Sequence, residues 1–198
     1  MKDVKVIGLD LDGTLVKMKL DFARIREELG IPEGDTLNYI SSLPRQEARR
    51  LMSILEEKEL DAADRAEPAQ GAMELLDYCR DRGIIIVVIT RNSEEAAKRT
   101  LDKLGMEVDM VVSRDHAAPK PSPEALNFVL SHYGFQPHEM AYVGDYLYDI
   151  QAGNAAGVKT ILVAAQERSD EWSSYANYVV EDLLEVVDLL REGKEKGR

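Results

Sequence analysis

The amino-acid sequence predicts an α/β fold in which a parallel sheet lies between two layers of helices. Short apolar, β-branched runs alternate along the chain with stretches of helical periodicity, and this alternation is typical of parallel sheets covered on both faces. Several of the helical stretches end at glycines, as helices commonly do. One long stretch breaks the alternation after the first run, so we expect a small all-helical insertion.

Six apolar segments are the candidate strands, because each is short and rich in the residues that strands prefer. They lie at 4–9, 84–89, 110–112, 140–143, 160–163 and 178–180. We expect the last of these at an edge of the sheet.

Helical periodicity predicts three helices that end at glycine residues. They cover 71–82 before Gly83, 93–104 before Gly105, and 123–133 before Gly134. Ser122 and Pro123 are predicted as the N-cap and first residue of the third helix, and Asn92 with Glu95 has the spacing of a capping box for the second. A further helix is expected at 181–190.

Residues 17–67 contain no β-branched run and are expected to be helical. Leu51, Ile54 and Leu55 recur at helical spacing, and the stretch is interrupted at 30–34 and again at Leu43-Pro44. We therefore predict a cap of roughly three helices at 17–67. It would be inserted into a core domain formed by residues 1–16 and 68–198.

The bulk composition limits the classes of protein to which the chain can belong. With 198 residues, 44% hydrophobic and 31% charged, it suits one ordinary core with a modest insertion. A net charge of −12 argues against a nucleic acid as partner. We expect no membrane partner, because no apolar run could span a bilayer, and we expect a monomer or a small homo-oligomer.

Cysteine usage and the first residues favour a cytoplasmic protein. Cys79 is the single cysteine, so no internal disulfide can form, and this fits a reducing compartment. The sequence begins almost directly with a predicted strand, and we expect no signal peptide.

The most informative residues are two aspartates, Asp10 and Asp12, at the end of the first predicted strand. Alternation along an extended backbone directs both to the same side, and Gly13, followed by Thr14, allows a sharp turn that exposes N–H groups. Two carboxylates at about 4 Å repel each other by roughly 4 kcal/mol at an effective dielectric constant near 20. Such a pair requires a cation or a shared proton, so the pattern predicts chemistry; a solvated acidic strand end is the alternative.

Three further strand ends carry polar residues suited to the same site. Ligands of open α/β sheets gather at the carboxyl ends of the strands, and the first N–H groups of a following helix suit a phosphate. The residues are, in order, Thr90-Arg91-Asn92, then Lys120 between two prolines, then Gly144-Asp145 with Asp149. Each is weak evidence alone, but their order along a strand–helix alternation makes coincidence a poor explanation.

In order and spacing, these residues resemble the four motifs of the haloacid dehalogenase (HAD) superfamily. The motifs are DxDGT, a strand-end threonine, a lysine followed by proline, and GDxxxD, which here are 10–14, Thr90, Lys120 and 144–149. The resemblance covers residues 1–16 and about 68–165, and it points to the phosphoglycolate-phosphatase-like subfamily. The cap agrees in position with the type inserted after motif one, but it is shorter than the usual four-helix form.

The resemblance implies a HAD-like Rossmannoid fold and a role for each motif residue. Asp10 would be the nucleophile that forms an aspartyl-phosphate, and Asp12 would protonate the leaving oxygen and later activate water. Lys120 would neutralise charge on the phosphate and on Asp10. The residues expected to bind phosphoryl oxygens or other substrate atoms are Thr90, Arg91, Asn92, Gly13 and Thr14.

The resemblance also implies Mg²⁺ as the cofactor. Its ligands would be Asp10, the carbonyl oxygen of Asp12, and Asp145, with Asp149 orienting them, a set of hard oxygen donors that suits this cation. Taken alone, Asp145 and Asp149 are equally consistent with an N-cap and a solvated helix face.

The residues after motif one leave the substrate open. Relatives that act on small organic phosphates commonly continue with Asp-Ser, whereas this chain has Lys17-Met18, followed by Lys19 and Arg24. In the cap, Arg45 is a candidate for binding a second anionic group of the substrate. A solvated, charged helix face is the alternative for Arg45.

The main hypothesis from the sequence is a Mg²⁺-dependent phosphatase that hydrolyses a small phosphorylated metabolite through an aspartyl-phosphate. A phosphomutase of the β-phosphoglucomutase kind is an alternative, because it would carry the same four motifs. Alternatives of another class are a phospho-acceptor signalling protein and a catalytically idle HAD-like binding protein.

Overall fold

The computed structural model describes residues 1, 3–17, 20–164 and 169–195, so Met18 and Lys19 lie outside the described residues. Its centre is a six-stranded, fully parallel sheet in the order β3-β2-β1-β4-β5-β6. The strands are β1 Val6–Leu9, β2 Ile85–Ile89, β3 Met110–Val112, β4 Met140–Gly144, β5 Lys159–Val163 and β6 Tyr178–Val180. All six predicted strands are confirmed, and β6 is the predicted edge strand.

The helices lie between and after these strands. They are α1 Phe22–Leu29, α2 Thr36–Ser42, α3 Arg45–Ala63, α4 Ala72–Asp81, α5 Glu94–Leu104, α6 Glu124–Tyr133, α7 Leu147–Ala156, α8 Ser169–Trp172 and α9 Leu183–Glu195. The predicted C-terminal glycines are present, with Gly105 and Gly134 in the left-handed conformation that ends α5 and α6.

Two hydrophobic layers, one on each face of the sheet, explain the alternation of strands and helices. Ile7 and Leu9 of β1 belong to the layer that includes α4, α5 and α9, whereas Val6 belongs to the opposite layer with α6 and α7. Adjacent residues of a strand point to opposite faces, so one apolar strand serves both layers. The predicted three-layer α/β/α architecture is confirmed.

Two predicted helix starts were wrong in detail. Ser93, not Asn92, is the N-cap of α5, and its side chain accepts from the N–H of Ala96. The amide of Asn92 instead reaches the site described below. For α6, Pro123 is the N-cap rather than the first helical residue, although the Ser122 hydroxyl still accepts from the next N–H, at Glu124.

The three helices α1–α3 lie between β1 and α4 and share a hydrophobic cluster of their own. Ile25, Ile40 and Leu55 are buried in it, one from each helix. The predicted all-helical insertion is therefore present, while its exact boundaries and its independence from the core stay a prediction. We refer to α1–α3 as the inserted helices.

Close packing of α7 against β5 depends on the missing side chain of Gly153. A Cβ built there would lie 2.3 Å from Cγ2 of Thr160, which is fully buried. An alanine methyl there therefore requires the Thr160 side chain or α7 itself to move.

Gly153→Ala should lower the free energy of unfolding by about 1–3 kcal/mol, the usual cost of overpacking. At an exposed helical position the same substitution would stabilise the protein by up to about 1 kcal/mol. Gln151→Ala, at an exposed position of the same helix, is the matched control and should change little. Urea denaturation of the three proteins measures the effect, and a neutral Gly153→Ala would show that this contact is not tight.

Candidate active site

The carboxyl ends of the strands form one wall of a cavity of about 370 Å³. The core contributes the acidic residues Asp10, Asp12, Asp145 and Asp149 to its lining, together with Thr90, Arg91, Asn92 and Lys120. The structure thus brings together eight residues that the sequence proposed for one site. The opposite wall comes from the inserted helices and the loops beside them.

Lys120 is the centre of the site's hydrogen bonding. Its buried ammonium donates to Oδ1 of Asp10, to Oδ1 of Asp149 at 2.6 Å, and to the carbonyl oxygen of Ile89 at 3.1 Å. Asp10, Asp145 and Asp149 each offer a carboxylate oxygen, and these oxygens lie within 4.8 Å of one another. Three buried carboxylates therefore lie together, two of them bonded to the Lys120 ammonium, and their oxygens are close enough to bind one metal ion.

Burial and the charges of this cluster shift the pKa values of Asp10 and Lys120. Burial, and then the charges of Asp149 and Asp145, raise the pKa of Asp10 well above its usual range, although Lys120 opposes the shift. Burial alone would lower the pKa of Lys120, but Asp10 and Asp149 outweigh it and hold the pKa well above the usual value. Lys120 therefore stays charged, and the cluster carries an excess of negative charge.

Asp12 makes its hydrogen bond outside that cluster. Its Oδ2 accepts from the side-chain amide of Asn92 at 2.6 Å. Burial raises the pKa of Asp12 to about 6, with a contribution from the nearby Glu59 carboxylate, while the Asn92 bond opposes the shift. A carboxyl group with a pKa near 6 can both hold and release a proton close to neutral pH, as general acid–base chemistry requires.

The hydrogen bonds of the turn after β1 contradict the expectation that Gly13 binds substrate atoms. The N–H of Gly13 donates to the carbonyl oxygen of Val16 at 2.7 Å, and the N–H groups of Leu15 and Val16 both donate to Leu11. These groups close the turn on itself, so Gly13 does not present its N–H to the cavity. Thr14 is buried, and its hydroxyl has no partner among the described residues.

The loop after β2 is tied to the loop that carries Lys120. Oγ1 of Thr90 accepts from the N–H of Asn92 at 3.1 Å, and Nη1 of Arg91 donates to the carbonyl oxygen of Lys120 at 2.6 Å. The guanidinium of Arg91 also lies over the ring of Tyr148, 4.9 Å from its centroid. These bonds hold the two loops in register around Asp10.

Arg91 also joins the core to the inserted helices through Asp35, a contact that the sequence did not predict. Nη2 of Arg91 donates to both carboxylate oxygens of Asp35 at 2.7 Å, and Asp35 is the N-cap of α2. Burial acts to raise the pKa of Asp35, but the bonds from Arg91 and from the N–H of Asn38 prevail and lower it. Asp35 is therefore ionised at neutral pH.

A second link, also missed from the sequence, joins α3 to the start of α5. Glu59 is 2% exposed, and its carboxylate accepts from Arg114 and, at 3.1 Å, from the N–H of Ser93. Arg114 also donates to the carbonyl oxygen of Arg91 at 3.0 Å. A signal was present, because Glu59 continues the buried stripe of Leu51 and Leu55 at four-residue spacing.

Arg45 is not brought to the site. It is the first residue of α3, it is exposed, and it is not among the described residues that line the cavity. The arginine that the inserted helices do contribute is Arg26, whose Nη1 donates to the carbonyl oxygen of Gly34 at 3.4 Å. The solvated helix face is thus the better description of Arg45.

Comparison with known proteins yields one family and several relatives. The family model described as haloacid dehalogenase-like hydrolase matches residues 16–163, a segment that begins after Asp10 and Asp12. A phosphoglycolate phosphatase of Chromobacterium violaceum is 28% identical, with 98% of this chain and 99% of the relative covered. An N-acetylmuramic acid 6-phosphate phosphatase of Pseudomonas aeruginosa is 27% identical, with 94% and 95% covered.

Solved structures with the same fold are also found. The crystal structure of a hydrolase from Pseudomonas syringae superposes with a TM-score of 0.78 at 21% identity, covering 94% of this chain and 98% of that one. At this identity the likeness concerns the fold alone. Among the described helices, none is both long and apolar enough to cross a membrane.

The raised pKa of Asp12 predicts a pH-dependent stability. The folded-state pKa of about 6 exceeds the ordinary 3.8, so the stabilising contribution is fully present below about 3.8 and is lost as pH rises through about 6. In EDTA, Asp12→Asn should therefore unfold at a temperature roughly 3–6 °C above that of the wild type at pH 7.5. The difference should shrink toward zero as the pH falls to 4.

Calorimetry over this pH range measures the difference between the two proteins. Asp61→Asn, at an exposed position of α3, is the control for replacing an aspartate as such. A difference between wild type and Asp12→Asn that is constant with pH would contradict the burial cost assigned to the Asp12 carboxylate.

Proposed function

The chain belongs to the haloacid dehalogenase-like hydrolase family, and we propose that it is a Mg²⁺-dependent phosphatase of a small phosphorylated metabolite. The observation that carries this proposal is the ion pair between Asp10 and Lys120. Asp12 lies close by, and its pKa of about 6 allows it to exchange a proton near neutral pH. The phosphatase activities of the two relatives support the same reaction class. The proposed mechanism proceeds through an aspartyl-phosphate on Asp10.

The residues at the strand ends fit a magnesium ion. The buried carboxylates of Asp10, Asp145 and Asp149 lie close together, only two of them bind Lys120, and hard oxygen donors of this kind suit Mg²⁺. In the proposal, Asp10, Asp145 and the carbonyl oxygen of Asp12 hold the cation. When bound, the cation would neutralise charge shared by the carboxylates and the phosphoryl oxygens.

Asp149 is proposed to position its neighbours. Its Oδ1 accepts from Lys120 and from the hydroxyl of Tyr142 at 3.1 Å, and its Oδ2 accepts from the N–H of Tyr146 at 3.0 Å. Burial raises the pKa of Tyr142 well above its usual value, so this hydroxyl remains a donor. A carboxylate with so many partners can hold Lys120 against Asp10 in one orientation.

In the first proposed step, a carboxylate oxygen of Asp10 attacks phosphorus while the bond from phosphorus to the leaving oxygen breaks. Asp12, as the acid, gives its proton to that leaving oxygen, so the product leaves as a neutral alcohol. Lys120 offsets the charge of Asp10 and of the phosphoryl group, and the Thr90 loop is proposed to bind the phosphoryl oxygens.

In the second proposed step, Asp12 now acts as the base. It takes a proton from water as that water attacks phosphorus, and the bond between phosphorus and the Asp10 oxygen breaks. Inorganic phosphate and the Asp10 carboxylate are the products, and Asp12 is protonated again. The pKa near 6 suits both halves of this cycle.

We propose a cytosolic location. Cys79 is buried and unpaired, and burial raises the pKa of its thiol to about 12, so it behaves as a small apolar residue.

A panel of phosphomonoesters with and without Mg²⁺ tests the proposed reaction. We expect release of inorganic phosphate with Mg²⁺, loss of release in EDTA, and its return when Mg²⁺ is added in excess, because the carboxylate cluster repels a phosphate dianion. Undiminished hydrolysis by thoroughly chelated protein would contradict the metal dependence. Transfer of the phosphoryl group to a second site on a sugar, without release, would favour the mutase alternative.

Asp10→Asn and Asp12→Asn should fail at different steps. Asp10→Asn removes the nucleophile and should lower kcat by about 10³-fold or more, with no acid-labile phosphate on the protein. Asp12→Asn should lower kcat by about 10²- to 10⁴-fold, the usual size of general acid–base catalysis, and should trap phosphate on Asp10 when a reactive ester is used.

Mass spectrometry of quenched reactions and phosphate release measure the two variants, with circular dichroism to confirm folding. Asp102→Asn, on the exposed face of α5, is the matched control. Near wild-type hydrolysis by Asp10→Asn would remove Asp10 from the role of nucleophile.

A further inference from the structure

Residues 91–93 follow Thr90 and carry a hydrogen bond that reaches Asp12. The side-chain amide of Asn92 donates to Oδ2 of Asp12 at 2.6 Å, so it helps to fix the direction of the proposed acid–base carboxyl. Asn92 makes this bond only while the backbone of residues 91–93 keeps its path. The groups that hold that backbone therefore affect the proposed chemistry, because a reacting group must be kept closely in its productive orientation.

Each of these three residues is bonded to Glu59 or to Arg114. Nη1 of Arg114 donates to the carbonyl oxygen of Arg91 at 3.0 Å, and its backbone N–H donates to the carbonyl oxygen of Asn92 at 3.3 Å. Oε2 of Glu59 accepts from the N–H of Ser93 at 3.1 Å, while Oε1 accepts from Arg114. Neither Glu59 nor Arg114 is among the described residues that line the cavity, so the pair is not placed to touch a substrate.

Helix α3 is joined to α5 by other contacts as well. Arg99 donates two hydrogen bonds to the carboxylate of Asp64, at 2.7 and 2.6 Å, and this pair is half exposed. Lys103 donates to the carbonyl oxygen of Ala66, just after α3, at 2.9 Å. The attachment of α3 to the core therefore does not depend on Glu59 and Arg114 alone.

The burial of Glu59 and Arg114 indicates a purpose beyond attachment. Their side chains are 1% and 6% exposed, and taking two charges out of water is so costly that apolar side chains of similar volume often stabilise a protein as well or better. A charged pair supplies strong, directed hydrogen bonds that apolar side chains cannot make. Here these bonds end on the backbone of residues 91–93.

We propose that Glu59 and Arg114 are positioning residues for the proton transfers of Asp12. They fix the loop after Thr90, so that the Asn92 amide keeps the carboxyl of Asp12 in the orientation that the leaving oxygen requires. This inference rests on the proposed phosphatase function and deepens it, because it gives one of the inserted helices a part in the acid–base step.

The dependence of kcat/KM on the leaving group tests this inference, measured with Mg²⁺ on phenyl phosphate and p-nitrophenyl phosphate. This ratio covers transfer to Asp10 and departure of the alcohol, but not the later attack of water. Phenolate leaves poorly without a proton, whereas p-nitrophenolate needs little help. A misplaced acid therefore slows phenyl phosphate more, although the two esters differ only by a nitro group.

Glu59→Gln should lower kcat/KM for phenyl phosphate about 5- to 30-fold more than for p-nitrophenyl phosphate, a part of the 10²- to 10⁴-fold that an acid contributes. Asn92→Ala should cause the same selective loss. Combining the two substitutions should then change the ratio between the esters little further, because both act on one hydrogen bond. Arg99→Gln, which removes a half-exposed ion pair between the same two helices, is the matched control and should leave that ratio unchanged.

A double variant separates positioning from folding. Glu59→Gln leaves the buried charge of Arg114 without its counter-charge, so thermal unfolding is measured for every variant. Glu59→Met combined with Arg114→Met replaces the pair by apolar side chains, which should keep the unfolding temperature near that of the wild type. We expect this double variant to fold and still to show the selective loss on phenyl phosphate.

Equal losses on both esters in Glu59→Gln and in the double variant would show that the pair supports only the fold, and would overturn the inference. An unchanged ratio in the folded double variant would overturn it as well. In either case, a selective loss on phenyl phosphate in Asp12→Asn would leave the proposed function standing. Release of no phosphate from either ester by the wild type, with or without Mg²⁺, would overturn the proposed function and this inference together.

Discussion

The constraint on which the site depends is the burial of three neighbouring carboxylates, two of which bind one ammonium. Asp10 and Asp145 directly follow two neighbouring strands, β1 and β4, Asp149 lies in the first turn of α7, and Lys120 comes from the loop after β3. Alone, such a cluster of negative charge would be driven apart or would take up protons. Lys120 binds two of the carboxylates and the end of β2, so a single side chain joins the ends of β1 and β2 to the start of α7.

The packing beneath the cluster keeps Asp149 where Lys120 needs it. A Cβ on Gly144 would lie 2.3 Å from Cβ of Asp149, so the carboxylate can lie over the end of β4 only because this residue is glycine. Tyr142, fully buried two residues earlier, donates its hydroxyl to Asp149 from below. The strand, its glycine and its tyrosine thus act together as the support of one carboxylate.

Two ion pairs connect the inserted helices to this site, and they differ in character. Glu59 and Arg114 are almost fully buried, with side chains 1% and 6% exposed, and removing one partner from such a pair is usually strongly destabilising. Asp35 and Arg91 are more accessible, at 11% and 22%, and line the cavity itself. Helix α3 is therefore held firmly against the core, whereas the start of α2 contacts it through groups that a ligand can also bind.

The six strands, the position of the helical insertion and the residues at the strand ends were all predictable from the amino-acid sequence. Continuous apolar runs can only be buried on both faces, and the carboxyl ends of parallel strands meet at one edge, so Asp10, Thr90, Lys120 and Asp145 were predictable as neighbours. The tertiary structure alone decided which residues of the insertion reach that edge. Arg45 was a reasonable candidate because it follows the interruption at Leu43-Pro44, but the direction of α3 leaves it in solvent. Asp35 and Thr36 instead line the cavity, because α2 begins there. Such contacts join residues far apart in the chain, as Arg91 and Asp35 are. Local periodicity carries no information about how an inserted helix is placed over the site at the strand ends.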